Sequence, residues 1–131
     1  MSLAEDIVKL DLRDTKLSGT INAANPMPTG LTCLYLYNLA NLTWTVGAAA
    51  PMPTGLTYLY LYNLANLTWT VGAAAPMPTG LTYLYLISLT NLTVEESQWV
   101  VNTLRVVQFE NSLNAAAVDS VLRGIWTNKA N

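Results

Sequence analysis

The chain has no histidine and one cysteine, and between Ile21 and Val94 it has no aspartate, glutamate, lysine or arginine. General acid–base catalysis needs a group that titrates near the working pH, and this middle stretch offers only hydroxyls, amides and one thiol. No catalytic triad can be assembled from those groups. Cys33 would need a neighbouring base or cation to become a useful nucleophile. Zinc sites want clustered His and Cys and calcium sites want grouped carboxylates, so no metal, no other cofactor and no enzymatic activity is expected. The glycines recur singly instead of clustering before a helix, which excludes a phosphate loop. A single cysteine cannot form an internal disulfide and leaves the redox compartment open.

Charge is scarce as well: charged residues make up 11% of the 131 positions and the formal net charge is −2. Such a chain has no field to steer toward nucleic acid or anionic lipid. No apolar run approaches the roughly 20 residues that cross a bilayer, and Met1 to Leu10 holds no hydrophobic stretch like a secretion signal. Neither nucleic acid nor membrane is therefore an expected partner, and the cellular location stays open. Apolar residues reach 52%, enough for one domain with a continuous core.

What the chain does have is a repeat. Pro-Met-Pro-Thr-Gly-Leu begins at Pro26, Pro51 and Pro76, a period of 25 residues. Residues 26–50 and 51–75 differ only at Cys33 against Tyr58, whereas the copy from Pro76 drifts at Ile87, Ser88 and Thr90. Such near identity points to recent duplication or consensus design. The stray cysteine and the divergent tail favour duplication, since a designer avoids a free thiol. Cys33 stands where later copies have Tyr58 and Tyr83 and reads as a drifted tyrosine position. Asn-Leu-Thr recurs at Asn41, Asn66 and Asn91 and reads as repetition of a structural motif in preference to a glycosylation signal.

Within one copy the leucines fall at Leu56, Leu59, Leu61, Leu64 and Leu67. This Leu-x-x-Leu-x-Leu spacing resembles the leucine-rich repeat, with Leu64 where that family usually carries Asn, Cys or Thr. Ile7, Leu10, Leu12, Thr15 and Leu17 supply an earlier copy in the more usual form. The resemblance covers residues 7–93 as four repeats, about 7–30, 31–55, 56–80 and 81–93. It implies a solenoid with a parallel β-sheet on the concave side, through which leucine-rich repeats commonly bind.

Elementary stereochemistry supports the strands independently. Leu59 and Leu61 lie two apart and share one face, while Tyr58, Tyr60 and Tyr62 alternate with them onto the other. Stacked copies place equivalent strands about 4.8 Å apart, with the leucine columns inside. Leu67, Trp69 and Val71 alternate with Thr68 and Thr70, which predicts a second short strand. No helical period lies between Gly47 and Gly55, so the convex side should be loop or short strand.

After Asn91 the alternation is expected to give way to helix. Thr93 and Glu96 have the spacing of a capping box, and Val94, Trp99, Val100, Leu104 and Val107 form an approximate helical stripe. A second amphipathic stretch runs from Asn114 through Val118, Val121, Leu122 and Ile125 to Trp126. Two helices spanning 94–131 are expected to cap the last leucine layer, with Trp99 and Trp126 in the cap core. At the other end Lys9, Asp11, Arg13 and Asp14 would face outward, where charge discourages edge pairing.

All seven tyrosines fall on outward strand positions: Tyr35, Tyr37, Tyr58, Tyr60, Tyr62, Tyr83 and Tyr85. Tyrosine gives large contact area at low entropic cost and carries a hydroxyl, so the ladder is the expected binding face. Stacked tyrosines also stabilise neighbouring strands, by about 0.5 kcal/mol per pair, and the two roles are compatible. Thr32, Thr57, Thr82, Asn38, Asn63 and Ser88 would line the same face. The expected function is non-catalytic recognition of a protein or polysaccharide surface. The alternative is a structural spacer or self-association segment of a larger surface or particle-associated protein, with a homodimer through the concave face as one form.

Overall fold

The computed structural model of the chain describes residues 7–13, 16–72, 74–94 and 103–110. Those residues form a parallel β-solenoid of about 4 turns. One sheet contains β1 (Lys9–Arg13), β3 (Cys33–Tyr37), β5 (Tyr58–Tyr62), β7 (Tyr83–Ile87) and β9 (Val106–Glu110), in the order β1-β3-β5-β7-β9. The other contains β2 (Gly19–Ile21), β4 (Leu42–Val46), β6 (Leu67–Val71) and β8 (Leu92–Val94), in the order β2-β4-β6-β8. Every pairing is parallel: each of four turns contributes one strand to each sheet, β9 adds a fifth to the first, and each strand bonds only to its neighbours.

The core follows from the alternation. In β3 and β5 the leucines are buried and the residues between them half-buried, while in β4 and β6 Leu, Trp and Val are buried and the threonines exposed. Leu34, Leu59 and Leu84 form one fully buried column and Leu36, Leu61 and Leu86 the next, all in the same cluster as Trp44 and Trp69 of the second sheet. Each buried leucine stabilises the coil by about 1.5–3 kcal/mol. Met52 and Met77, between prolines, fill the core from the return segments, which contain bends and turns and no helix.

The two sheets stack differently. In the first, repeats align residue for residue, with Leu34 beside Leu59 and Tyr35 beside Tyr60. In the second, Trp44 lies beside Leu67 and Trp69 beside Leu92, a shear of two residues from the sequence repeat. An even shift keeps every side chain on its own face, since strand side chains alternate with period two. It also sets each indole beside a leucine of the next turn instead of beside another indole.

The expected pair of C-terminal capping helices is overturned: the described residues contain no helix, and those of the tail lie in or beside the sheets. Thr93 and Val94 belong to β8, and the Thr93 hydroxyl meets Thr70 Oγ1 at 3.1 Å instead of capping a helix. Val106–Glu110 forms β9 against β7, with Val107 beside Leu84 and Phe109 beside Leu86. Leu104, Val107 and Phe109 thus repeat the Leu-x-x-Leu-x-Leu spacing and make a further strand of the coil. Leu104 and Val107 are three apart and fit a helical stripe equally well, but Val106, Val107 and Phe109 are strand formers and β7 supplies an open ladder. Glu96, Trp99, Val100 and the second expected helix, including Trp126, lie outside the described residues.

Candidate binding face

The five-stranded sheet positions the tyrosines. Because leucine occupies the inward places, Tyr35, Tyr37, Tyr58, Tyr60, Tyr62, Tyr83 and Tyr85 all stand on its other face, within three adjacent strands. The register lines them into columns: Cys33, Tyr58 and Tyr83; Tyr35, Tyr60 and Tyr85; Tyr37, Tyr62 and Ile87. Cys33 therefore occupies the tyrosine place assigned to it from the repeat.

The rings pack on one another. Tyr37 and Tyr62 stack with centroids 4.3 Å apart and planes 10° from parallel, and Tyr58 and Tyr83 lie 5.3 Å apart. Tyr35 leans diagonally, 4.9 Å from Tyr58 but 6.1 Å from its in-register partner Tyr60, over the space that Cys33 is too short to fill. The ladder is consequently half-buried, with Tyr83 its most exposed member. Burial pushes the Tyr35, Tyr60 and Tyr85 phenols above their ordinary value. Hydrogen bonding with Cys33 and Tyr58 adds to the effect at Tyr35.

Charge stands at the margins of this face. Lys9, Asp11 and Arg13 are exposed on β1, and Asp11 accepts from Arg13 Nε at 2.7 Å, which raises the Arg13 pKa. The Lys9 ammonium and the Arg13 guanidinium each lie 5.3 Å from the Tyr35 ring centroid, within reach of cation–π attraction. Sequence reasoning placed these residues outward but missed that they clasp the first ring of the ladder. On the opposite margin Gln108 Nε2 donates to Glu110 Oε2 at 3.0 Å. Asp14 lies outside the described residues.

The threonines and asparagines have other work. Thr57 Oγ1 donates to the Thr32 carbonyl at 3.2 Å and Thr82 Oγ1 to the Thr57 carbonyl at 3.0 Å, so these hydroxyls tie one turn to the next. Asn38, Asn63 and Ser88 leave the strands in the left-handed region, with φ of 56°, 52° and 55°. Asn63 Nδ2 donates to Asn38 Oδ1 at 2.8 Å, which ties equivalent places of two successive turns. Asn66 and Asn91 donate through Nδ2 to the Ala40 and Ala65 carbonyls, at 2.6 and 3.0 Å. At these two of the three sequons the side-chain amide thus ties one turn to the next.

Among the described residues no three His, Cys, Asp or Glu side chains converge on a point that could hold a metal ion, and no helix is long and apolar enough to cross a membrane. Comparison of the chain with known protein families, with curated proteins and with solved structures finds no match.

Proposed function

We propose that the chain is a non-catalytic recognition module of the leucine-rich-repeat type, which binds a protein or polysaccharide surface through its tyrosine ladder. The observation that carries this is the sheet face itself: seven tyrosines on three adjacent strands that hold no charged residue. Packed rings with restricted motion lose little entropy on binding, and each hydroxyl can bond a partner. Aromatic faces stack on sugar rings or on apolar side chains, so both ligand classes fit. The Leu-x-x-Leu-x-Leu strands, each turning its leucines to the core, support the repeat type.

A spacer or self-association segment is the second reading, favoured by the half-burial of the rings against one another. A protein and polysaccharide array probed with the chain and with Tyr35→Ser/Tyr60→Ser/Tyr85→Ser separates the two. Recognition requires that the parent retain a ligand that the triple variant does not. Identical profiles would leave the spacer reading standing. Sedimentation of both proteins in parallel detects a twofold dimer through the tyrosine face, which the triple variant would convert to monomer.

A further inference from the structure

The two outer strands of the five-stranded sheet differ from the three between them. β1 turns Lys9, Asp11 and Arg13 outward, and β9 turns Val106, Gln108 and Glu110 outward. Among the described strands β1 pairs only with β3 and β9 only with β7, so each aims one backbone edge away from the sheet. The apolar columns are also unfinished there. Leu34, Leu59 and Leu84 are 0% exposed, whereas Val107 at the end of that column is 37% exposed and Leu10 at its start is only partly buried.

We infer that β9 of one copy pairs in parallel with β1 of a second copy, so that the sheet continues head to tail from molecule to molecule. The register follows from the rule that every pair in this sheet already obeys, apolar column on apolar column. Val107 then lies beside Leu10 of the next copy and Phe109 beside Leu12, which completes both columns. The outward row falls into place with them: Val106 beside Lys9, Gln108 beside Asp11 and Glu110 beside Arg13. In-register neighbours in a parallel sheet stand about 4.8 Å apart, close enough for the Glu110 carboxylate to join the Arg13–Asp11 pair and for the Gln108 amide to donate to Asp11.

The symmetric alternatives lack this fit. A twofold contact of β1 with itself runs antiparallel, and centred on Asp11 it opposes Asp11 to Asp11 and Lys9 to Arg13, like charge against like. A twofold contact of β9 centred on Gln108 sets Glu110 against Val106 and gains no ion pair. Charge on β1 thus discourages pairing with its own kind, the usual protection of an edge, and admits the β9 edge. Because the two edges lie on opposite ends of the sheet, the contact is heterologous and does not close, and it builds linear chains.

Sedimentation velocity of the full chain over a concentration series tests this. Average mass should rise without a plateau and fall as salt is raised. Glu110→Arg and Arg13→Glu should each require at least about tenfold more protein to associate, since each sets like charges side by side. An equimolar mixture of the two variants should associate as the parent does, because contacts that join the two reversed charges then alternate with contacts that keep the parent pair. Both positions are exposed, so unchanged thermal midpoints verify folding, and Glu110→Gln is a milder second probe with a smaller effect in the same direction. The tyrosine triple variant should associate like the parent. A parent that stays monomeric, a closed dimer indifferent to the charge reversals, a mixture that fails to restore association, or association lost in the tyrosine variant would each overturn the inference.

Discussion

Trp69 Nε1 donates to the carbonyl oxygen of Ala75 at 2.9 Å, and one turn earlier Trp44 meets Ala50 at the same distance. A buried indole needs a partner for its N–H, and here the partner closes the bend that leaves the strand. Gly72 N also reaches the Ala75 carbonyl, at 3.4 Å, while Pro76 behind it has no N–H to give. Trp44 and Trp69 therefore each fill the core and pin a return segment to it.

Trp69→Phe keeps much of the apolar volume and removes the donor, and should cost about 1–3 kcal/mol. Trp69→Ala should cost about 3–5 kcal/mol, because a cavity is added to the lost bond. Urea unfolding of the three proteins measures both. A phenylalanine variant as stable as the parent would show that the indole bond contributes nothing net.

Asn63 combines a left-handed backbone with a side-chain bond to Asn38. Asn63→Ala keeps a Cβ where the backbone disfavours it by about 1–2 kcal/mol and loses the side-chain amide that lets asparagine offset that strain. Asn63→Gly loses the bond but is at ease at positive φ. The expected order of thermal midpoints is parent, glycine, alanine. Alanine above glycine would mean that the left-handed turn is not kept in solution.

The raised Tyr35, Tyr60 and Tyr85 phenols tie stability to pH. In the unfolded chain a tyrosine loses its proton near its ordinary value of 10.0, while the folded chain holds it longer. Above that pH the native state binds more protons than the unfolded state, so unfolding free energy falls as pH rises. The contribution of these three phenols is full below about pH 10 and is lost as pH climbs through the folded values. Tyrosinate absorbance of native and urea-unfolded protein, titrated side by side, should show a late-ionising fraction in the native protein alone, from Tyr35, Tyr60 and Tyr85. Coincident curves would contradict the burial of these rings.

Deleting Pro51–Ala75 removes one whole turn and joins Ala50 to Pro76, which recreates the Ala-Pro seam already present between turns. Tyr35 should then register with Tyr85, and the shortened chain should unfold in a single transition at a lower midpoint. A variant with no cooperative transition would contradict nearest-neighbour stacking of the turns.

Much of this coil is legible in the sequence because the period of 25 and the alternation within it encode register and face together. Leu59 and Tyr60 cannot exchange faces without turning every leucine outward. The two-residue shear that sets Trp69 beside Leu92 is not legible, since an even shift leaves every side chain on its own face and so leaves the alternation in the sequence unchanged. Val106–Glu110 was hidden by its spacing: Val100, Leu104 and Val107 satisfy a helical period, and only the ladder offered by β7 decides for strand. The Asn38–Asn63 bond was not legible, because it needs the left-handed turn just after each strand to bring the two side chains together. The tyrosine face was fully legible, but not the diagonal lean of Tyr35 nor the cations on its ring.

Recognition through the tyrosine face is tested most directly by titrating a ligand retained by the parent chain onto the parent and onto Tyr35→Ser/Tyr60→Ser/Tyr85→Ser. Those three residues form the central column of the face. Aromatic anchors at the centre of an interface carry most of its energy, so affinity should fall at least about 100-fold. The thermal midpoint of the variant should fall only by the modest loss of cross-strand stacking. Equal affinity in a variant that remains folded would contradict the assignment of this face as the binding surface.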